Sequence, residues 1–115
     1  MGTWKYFTDE ETKGMDPGVV FGLENARELC GFPIKMTSGY RSPEHNAEIG
    51  GAPFSAHTKG LAADLEAPVG QFEREKLIWA LGLSGFKRIE LCPRHIHVDL
   101  DAQKEWPCCW QGEDK

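Results

Sequence analysis

The segment His95-Ile96-His97-Val98-Asp99-Leu100 alternates strictly between polar and apolar residues. A strand sends successive side chains to opposite faces. Ile96, Val98 and Leu100 therefore share one face, and His95, His97 and Asp99 share the other. The apolar set has to be covered by a core. Two imidazoles and a carboxylate in a row would be costly to bury unpaired, so their face must line a polar groove. The chain is thereby committed to a sheet with one covered face and one open face. Residues two apart on a strand lie about 6.5–7 Å apart at Cα. Both imidazoles can reach one small site, one as a metal ligand and the other left for proton transfer.

The remaining pattern supplies the cover. Asp16-Pro17 resembles an N-cap followed by proline in the first turn. Val19, Leu23, Ala26 and Cys30 recur at helical spacing, and Gly31 supplies the stop, so a helix is predicted over about 17–30. Phe32–Thr37 alternates as a short strand, and Ser38–Pro43 ends it in a turn. Pro43 opens a short helix through Ile49 that Gly50-Gly51-Ala52-Pro53 breaks. Leu61–Glu66 reads as a buried strand. Residues 70–81 read as a second long helix with a broad apolar face of Phe72, Leu77, Ile78 and Leu81. Phe86–Leu91 and His95–Leu100, separated by Cys92-Pro93-Arg94, read as a β-hairpin. Residues 1–15 are expected to wrap the surface, and the tail from Ala102 has no clear periodicity. The class is α+β, a small antiparallel sheet with helices packed on one side.

A chain of 115 residues with 40% hydrophobic and 27% charged residues is an ordinary globular composition. One domain over 1–115 is expected, its core about 16–100, and a monomer. The net charge of −5 argues against nucleic acid as a partner. No run approaches the roughly 18 apolar residues needed to span a membrane. The start, Met1-Gly2-Thr3-Trp4-Lys5-Tyr6, has no basic segment followed by an apolar stretch, so no signal peptide is expected. Of the four cysteines, Cys30 reads as a small buried hydrophobe. No Cys-x-x-Cys pair marks a structural zinc site. Free thiols are the default without a secretory signal, with a bridge from Cys92 to Cys108 or Cys109 left open.

Ser55-Ala56-His57-Thr58-Lys59-Gly60-Leu61-Ala62-Ala63-Asp64 is the second window that carries chemistry. Gly60 and Ala62-Ala63 are small enough for backbone to pack closely beside a metal. Imidazole nitrogens with one carboxylate oxygen form the donor set of a zinc ion that keeps a position open for water, whose pKa falls to about 7. A neutral imidazole nearby would serve as general base and then acid. Arg41 is the natural electrophilic partner, able to hold a substrate carboxylate or a developing oxyanion. A guanidinium there has little structural reason to exist, since burying it unpaired is expensive. His45 is expected to cap or pack beneath the Arg41 loop. Glu90 is a rival base whose strand is expected to orient it away from the groove. Cys92 reads as a turn residue, because no thiolate is needed to complete the set. Trp106 and Trp110 read as packing residues, with stacking against glycan as the alternative.

Ser38-Gly39-Tyr40-Arg41-Ser42, Ser55-x-His57-x-x-Gly60-x-Ala62-x-Asp64 and His95-x-His97-Val98-Asp99 together resemble the signature of the zinc D-Ala-D-Ala carboxypeptidase family. That family includes VanX-type and VanY-type D,D-peptidases and phage L-Ala-D-Glu endolysins. It shares its metal site with lysostaphin-type peptidases and the hedgehog signalling domain. The resemblance covers roughly residues 16–100. It implies a hedgehog/D,D-peptidase-like fold with one zinc ion per chain, held by His57, Asp64 and His97. It makes Arg41 the transition-state or carboxylate clamp and Ser55 a substrate contact. Many members place a Glu or Asp three residues before the last ligand, where this chain has Arg94. In the His-x-His subgroup the first histidine takes the role of base, which assigns it to His95. Asp99 would orient an imidazole through its other nitrogen.

The resemblance implies hydrolysis of a bond involving a D-amino acid in the peptidoglycan stem peptide, by carboxypeptidase or endopeptidase action. A phage-lysis, virion or exported role fits the expected lack of a signal peptide. Two other readings stay open: a non-catalytic zinc-stabilised binding or phage tail-like module, and an intracellular D,D-dipeptidase.

Overall fold

Asp16 and Gly31 bracket the first helix, α1 (Pro17–Cys30), as their chemistry requires. The Asp16 carboxylate accepts from the Gly18 N–H, and Gly31 adopts φ 80 to donate its N–H to the Arg27 carbonyl. Such a cap is worth about 1 kcal/mol. The computed structural model describes residues 2–105 and 108–114; Trp106 lies outside the described residues. After α1 come β1 (Met36–Ser38), α2 (Pro43–Glu48), a 3-10 turn (Ala56–Lys59), β2 (Ala62–Glu66), α3 (Gln71–Leu83), β3 (Arg88–Leu91), β4 (His95–Asp99) and β5 (Cys108–Gln111).

The strands form one sheet in the order β1-β2-β4-β3-β5. β1, β2, β4 and β3 pair antiparallel, and the β3–β4 hairpin is present as predicted. β5 adds a parallel edge beside β3, so the sheet is mixed where an antiparallel one was expected. β1 is shorter than the strand predicted over 32–37. Pro33 has no N–H to give to a ladder. The partner strand also runs out, because after Glu66 takes the Lys35 carbonyl, the Ala67 N–H turns to Arg94.

The covered face of the sheet carries Ala63, Leu65, Ile89, Ile96 and Val98. They pack with Val19, Val20, Leu23 and Ala26 of α1 and with Leu77, Ala80 and Leu81 of α3. Each fully buried Leu, Ile or Val is worth about 1.5–3 kcal/mol. Cys30 joins this core as expected. Phe72 does not, and is 72% exposed. At 100° per residue it lies about 140° round the helix from Leu77, on an outer stripe with Trp79 and Leu83. The opening segment winds over the surface in turns, yet Phe7 and Met15 reach the core. Glu24 of α1 ties that segment down by accepting from the N–H groups of Lys5, Tyr6 and Phe7.

Candidate metal centre

His57 sits in the 3-10 turn Ala56–Lys59. Ser55 opens that turn by accepting from the His57 N–H at 3.2 Å, and Gly60 closes it at φ 74. A Cβ at Gly60 would collide with the Gly14 carbonyl oxygen, so glycine is required twice over. Asp64 and His97 are direct cross-strand partners on β2 and β4. His57, Asp64 and His97 each offer one donor atom, and the three atoms lie within 4.8 Å of one another. The structure thus brings together the residues proposed as ligands.

Hydrogen bonds on the far side of each ring decide what those atoms carry. His57 Nδ1 lies 2.8 Å from the Gly39 carbonyl, which can only accept, so Nδ1 holds the proton. In the neutral ring Nε2 then presents a lone pair to Asp64 Oδ1 at 3.3 Å. His97 Nε2 lies 2.8 Å from Asp99 Oδ2, so its neutral tautomer presents a lone pair on Nδ1, 3.0 Å from the same Asp64 oxygen. Two lone pairs and a carboxylate oxygen converge at one point. Only a cation satisfies all three, and two nitrogens with one oxygen are a donor set that zinc accepts with a fourth position open. The residues present fit the metal.

Asp99 is 1% exposed and does more than orient a ring. Its Oδ2 also accepts from Arg88 Nε at 3.2 Å, and its Oδ1 accepts from the Asp101 N–H at 3.0 Å. Without a metal, a proton on His97 takes the cation's place. Burial opposes charge on His97, but hydrogen bonds to Asp64 and Asp99 outweigh it, and the imidazole is pushed up to about 9. Burial alone would raise Asp64; its hydrogen bonds with His57 and His97 prevail and hold it well below the carboxylate range.

Around this centre lies a groove of about 610 Å³ lined by Arg41, Ser55, Glu90 and His95, among others. Arg41 has structural partners, so its place at the groove does not rest on chemistry alone. Its Nε donates to Ser38 Oγ at 3.2 Å, one terminal nitrogen donates to Asn46 Oδ1 at 3.0 Å, and the other stands 3.6 Å from Asp64 Oδ2. Asn46, buried and anchored on the Ala52 carbonyl, was missed in the sequence. His45 does not pack beneath the Arg41 loop; its side chain is 57% exposed at the groove, with Glu48 3.9 Å away. Its own N–H is the capped group, donating to Ser42.

Glu90 is not turned away. It pairs with His97 across β3 and β4, and cross-strand partners share a face. The row Asp64–His97–Glu90 therefore crosses the open side of the sheet. His95 stands on the same face, its Nδ1 2.8 Å from Asp114 Oδ1. The same carboxylate accepts from the Arg94 N–H. Asp114 was also missed, being 19 residues from its partner. Trp110, on β5, lies under the Arg88 guanidinium at 4.8 Å, consistent with a packing role. The four cysteines are unbridged. The Cys92 thiol is pushed up to about 11 by burial and by the carboxylates of Glu90, Asp114 and Asp64. Among the described residues, no helix is long and apolar enough to cross a membrane.

An open groove over a sheet, with two imidazoles and a carboxylate aimed at one point, is the construction of a metal-dependent hydrolase. Comparison with known proteins narrows the class. A sequence profile of Peptidase M15 matches residues 5–99, and the chain belongs to that family. The peptidoglycan L,D-endopeptidase MepK of Escherichia coli is 29% identical over 112 residues, covering 82% of this chain and 56% of the relative. MepK of Shigella flexneri gives the same figures. The chain thus spans about half the length of the curated relatives it matches. The crystal structure of Serratia marcescens L-Ala D-Glu endopeptidase ChiX superposes with a TM-score of 0.60 at 19% identity, covering 83% of this chain and 86% of that one. Its likeness is one of fold.

Proposed function

We propose that the domain is a zinc peptidase that cleaves a bond involving a D-amino acid in the stem peptide of bacterial peptidoglycan. The observation that carries this reading is the convergence of the His57, Asp64 and His97 donor atoms at a groove in a Peptidase M15 chain. The relatives' names, L,D-endopeptidase and L-Ala D-Glu endopeptidase, favour endopeptidase over carboxypeptidase action.

His57 Nε2, Asp64 Oδ1 and His97 Nδ1 would hold the ion. Zinc bound there supplies Lewis acidity and makes water a nucleophile near neutral pH. The protein's own groups do the rest. His95 accepts the proton from the attacking water and returns it to the leaving amine. Asp114 keeps that imidazole oriented by its hydrogen bond to Nδ1. Glu90, on the same lining, is the competing base. Arg41, already gripped by Ser38 and Asn46, presents its guanidinium to the reacting carbonyl or to a substrate carboxylate. Ser55 borders the same groove while capping the His57 turn.

Purified sacculi and free D-Ala-D-Ala, digested side by side and read by mass spectrometry, test the proposal. Wild type should release stem-peptide fragments from sacculi, and His57→Ala should release none. If wild-type protein with zinc bound cuts neither substrate, the peptidase reading fails and a binding module takes its place.

A further inference from the structure

A second set of donors meets further along β4. The Sγ of Cys92, a ring nitrogen of His95 and a carboxylate oxygen of Asp114 lie within 4.8 Å of one another. The fold brings them together from two directions. Cys92 and His95 face each other at the end of the hairpin, where the Cys92 N–H donates to the His95 carbonyl at 3.0 Å. Asp114 arrives along the chain that follows β5. That segment is fixed by the Gly112 N–H on the Leu91 carbonyl, and the carboxylate is held by the Arg94 N–H at 3.1 Å.

We propose that Cys92, His95 and Asp114 form a second, sulfur-containing site for a borderline-soft divalent cation such as zinc or cadmium. Thiolate, imidazole and carboxylate together match the ligands of such ions, and a fourth position remains for water. The surroundings favour a dication. Cys92 is 1% exposed, and Glu90 and Asp64 add negative charge from the neighbouring row. Binding displaces the thiol proton to solvent and leaves a thiolate–metal bond. It also occupies the lone pair of His95. A neutral imidazole has only one, so the ring cannot at the same time accept a proton from water. Excess metal would therefore inhibit through this site. That consequence rests on the peptidase reading above, whereas the site itself does not.

The two sites differ in one chemical respect that makes them separable: the His57/Asp64/His97 centre contains no sulfur. Titration of metal-free protein with Cd²⁺ alone, followed by ultraviolet thiolate-to-metal charge-transfer absorption, therefore reads the second site only. Wild type should take up two equivalents, one of them with the charge-transfer band. His57→Ala should lose the equivalent without the band and keep the one that has it, whatever the protein's activity. Cys92→Ser should lose the band and fall to one equivalent. Asp114→Asn, an isosteric change on the segment that follows β5, should weaken the banded equivalent at least tenfold. A wild type that binds one equivalent without a band overturns the proposal. So does a band that survives Cys92→Ser, which would assign it to Cys108 or Cys109, or an Asp114→Asn variant that binds like wild type.

Discussion

Asp99→Asn isolates how the buried carboxylate controls the metal. Its Oδ1 accepts from the Asp101 N–H at 3.0 Å and lies 3.0 Å from Arg88 Nε, while Oδ2 accepts from Arg88 Nε at 3.2 Å and faces His97 Nε2 at 2.8 Å. An asparagine keeps its oxygen toward the Asp101 N–H, with Arg88 Nε also 3.0 Å from that position, because the backbone donor cannot face an NH₂. Its NH₂ then falls against His97 Nε2, which must become the acceptor. The ring proton moves to Nδ1, the nitrogen 3.0 Å from Asp64 Oδ1 that should receive the metal. The ion then has to displace a proton that is well bonded to a carboxylate. Loss of such an outer hydrogen bond typically weakens metal binding 10–100-fold, or about 1.4–2.7 kcal/mol. Chelator competition with zinc at pH 7 measures it. The Arg88 guanidinium loses its ion pair in the same variant, so stability falls as well, by up to about 3–5 kcal/mol for a broken buried pair. Arg88→Met separates the two effects: stability should drop, while zinc affinity moves by less than tenfold because Asp99 still accepts from His97. If folded Asp99→Asn binds zinc as tightly as wild type, the tautomer argument is wrong.

Metal-free protein should lose stability in alkali. His97 rises from an ordinary 6.5 to about 9 in the fold, so its contribution is complete below about 6.5 and is lost as pH climbs through 9. Thermal melts in chelator across pH 6–10 should show the decline, and a flat profile would contradict it. Arg41→Lys keeps the charge but loses the fork that reaches Ser38 and Asn46. It should retain zinc yet lower kcat/KM on stem peptide at least about tenfold, or 1.4 kcal/mol; unchanged kinetics would remove Arg41 from the reaction. Gly60→Ala places a Cβ at φ 74 against the Gly14 carbonyl. A loss above about 1 kcal/mol in urea denaturation is expected, and a neutral result would show that the turn can relax.

What could be read from the chain in advance was local. α1 was legible because a cap, a proline and a glycine bracket an apolar period. The His95–Leu100 face was legible because strand alternation needs no partner to interpret it. Glu90 was misread because its orientation depends on how the hairpin pairs, and Cys92-Pro93-Arg94 does not announce the register that sets Glu90 against His97. The Gly39 carbonyl that fixes the His57 tautomer leaves no trace in a sequence, since every residue has a carbonyl. Asn46 and Asp114 are ordinary polar residues until the fold delivers them. β5 was invisible because Cys-Cys-Trp-Gln follows neither period and pairs only along an edge that β3 provides.

The row Asp64–His97–Glu90 has a meaning for folding as well as for chemistry. Sliding β4 by a single residue against either neighbour would turn His95, His97 and Asp99 into the helices and expose Ile96 and Val98 to water. The charged pattern that could hold an ion therefore also proofreads the strand alignment, before any ion arrives. The chain has no need of metal to choose its register.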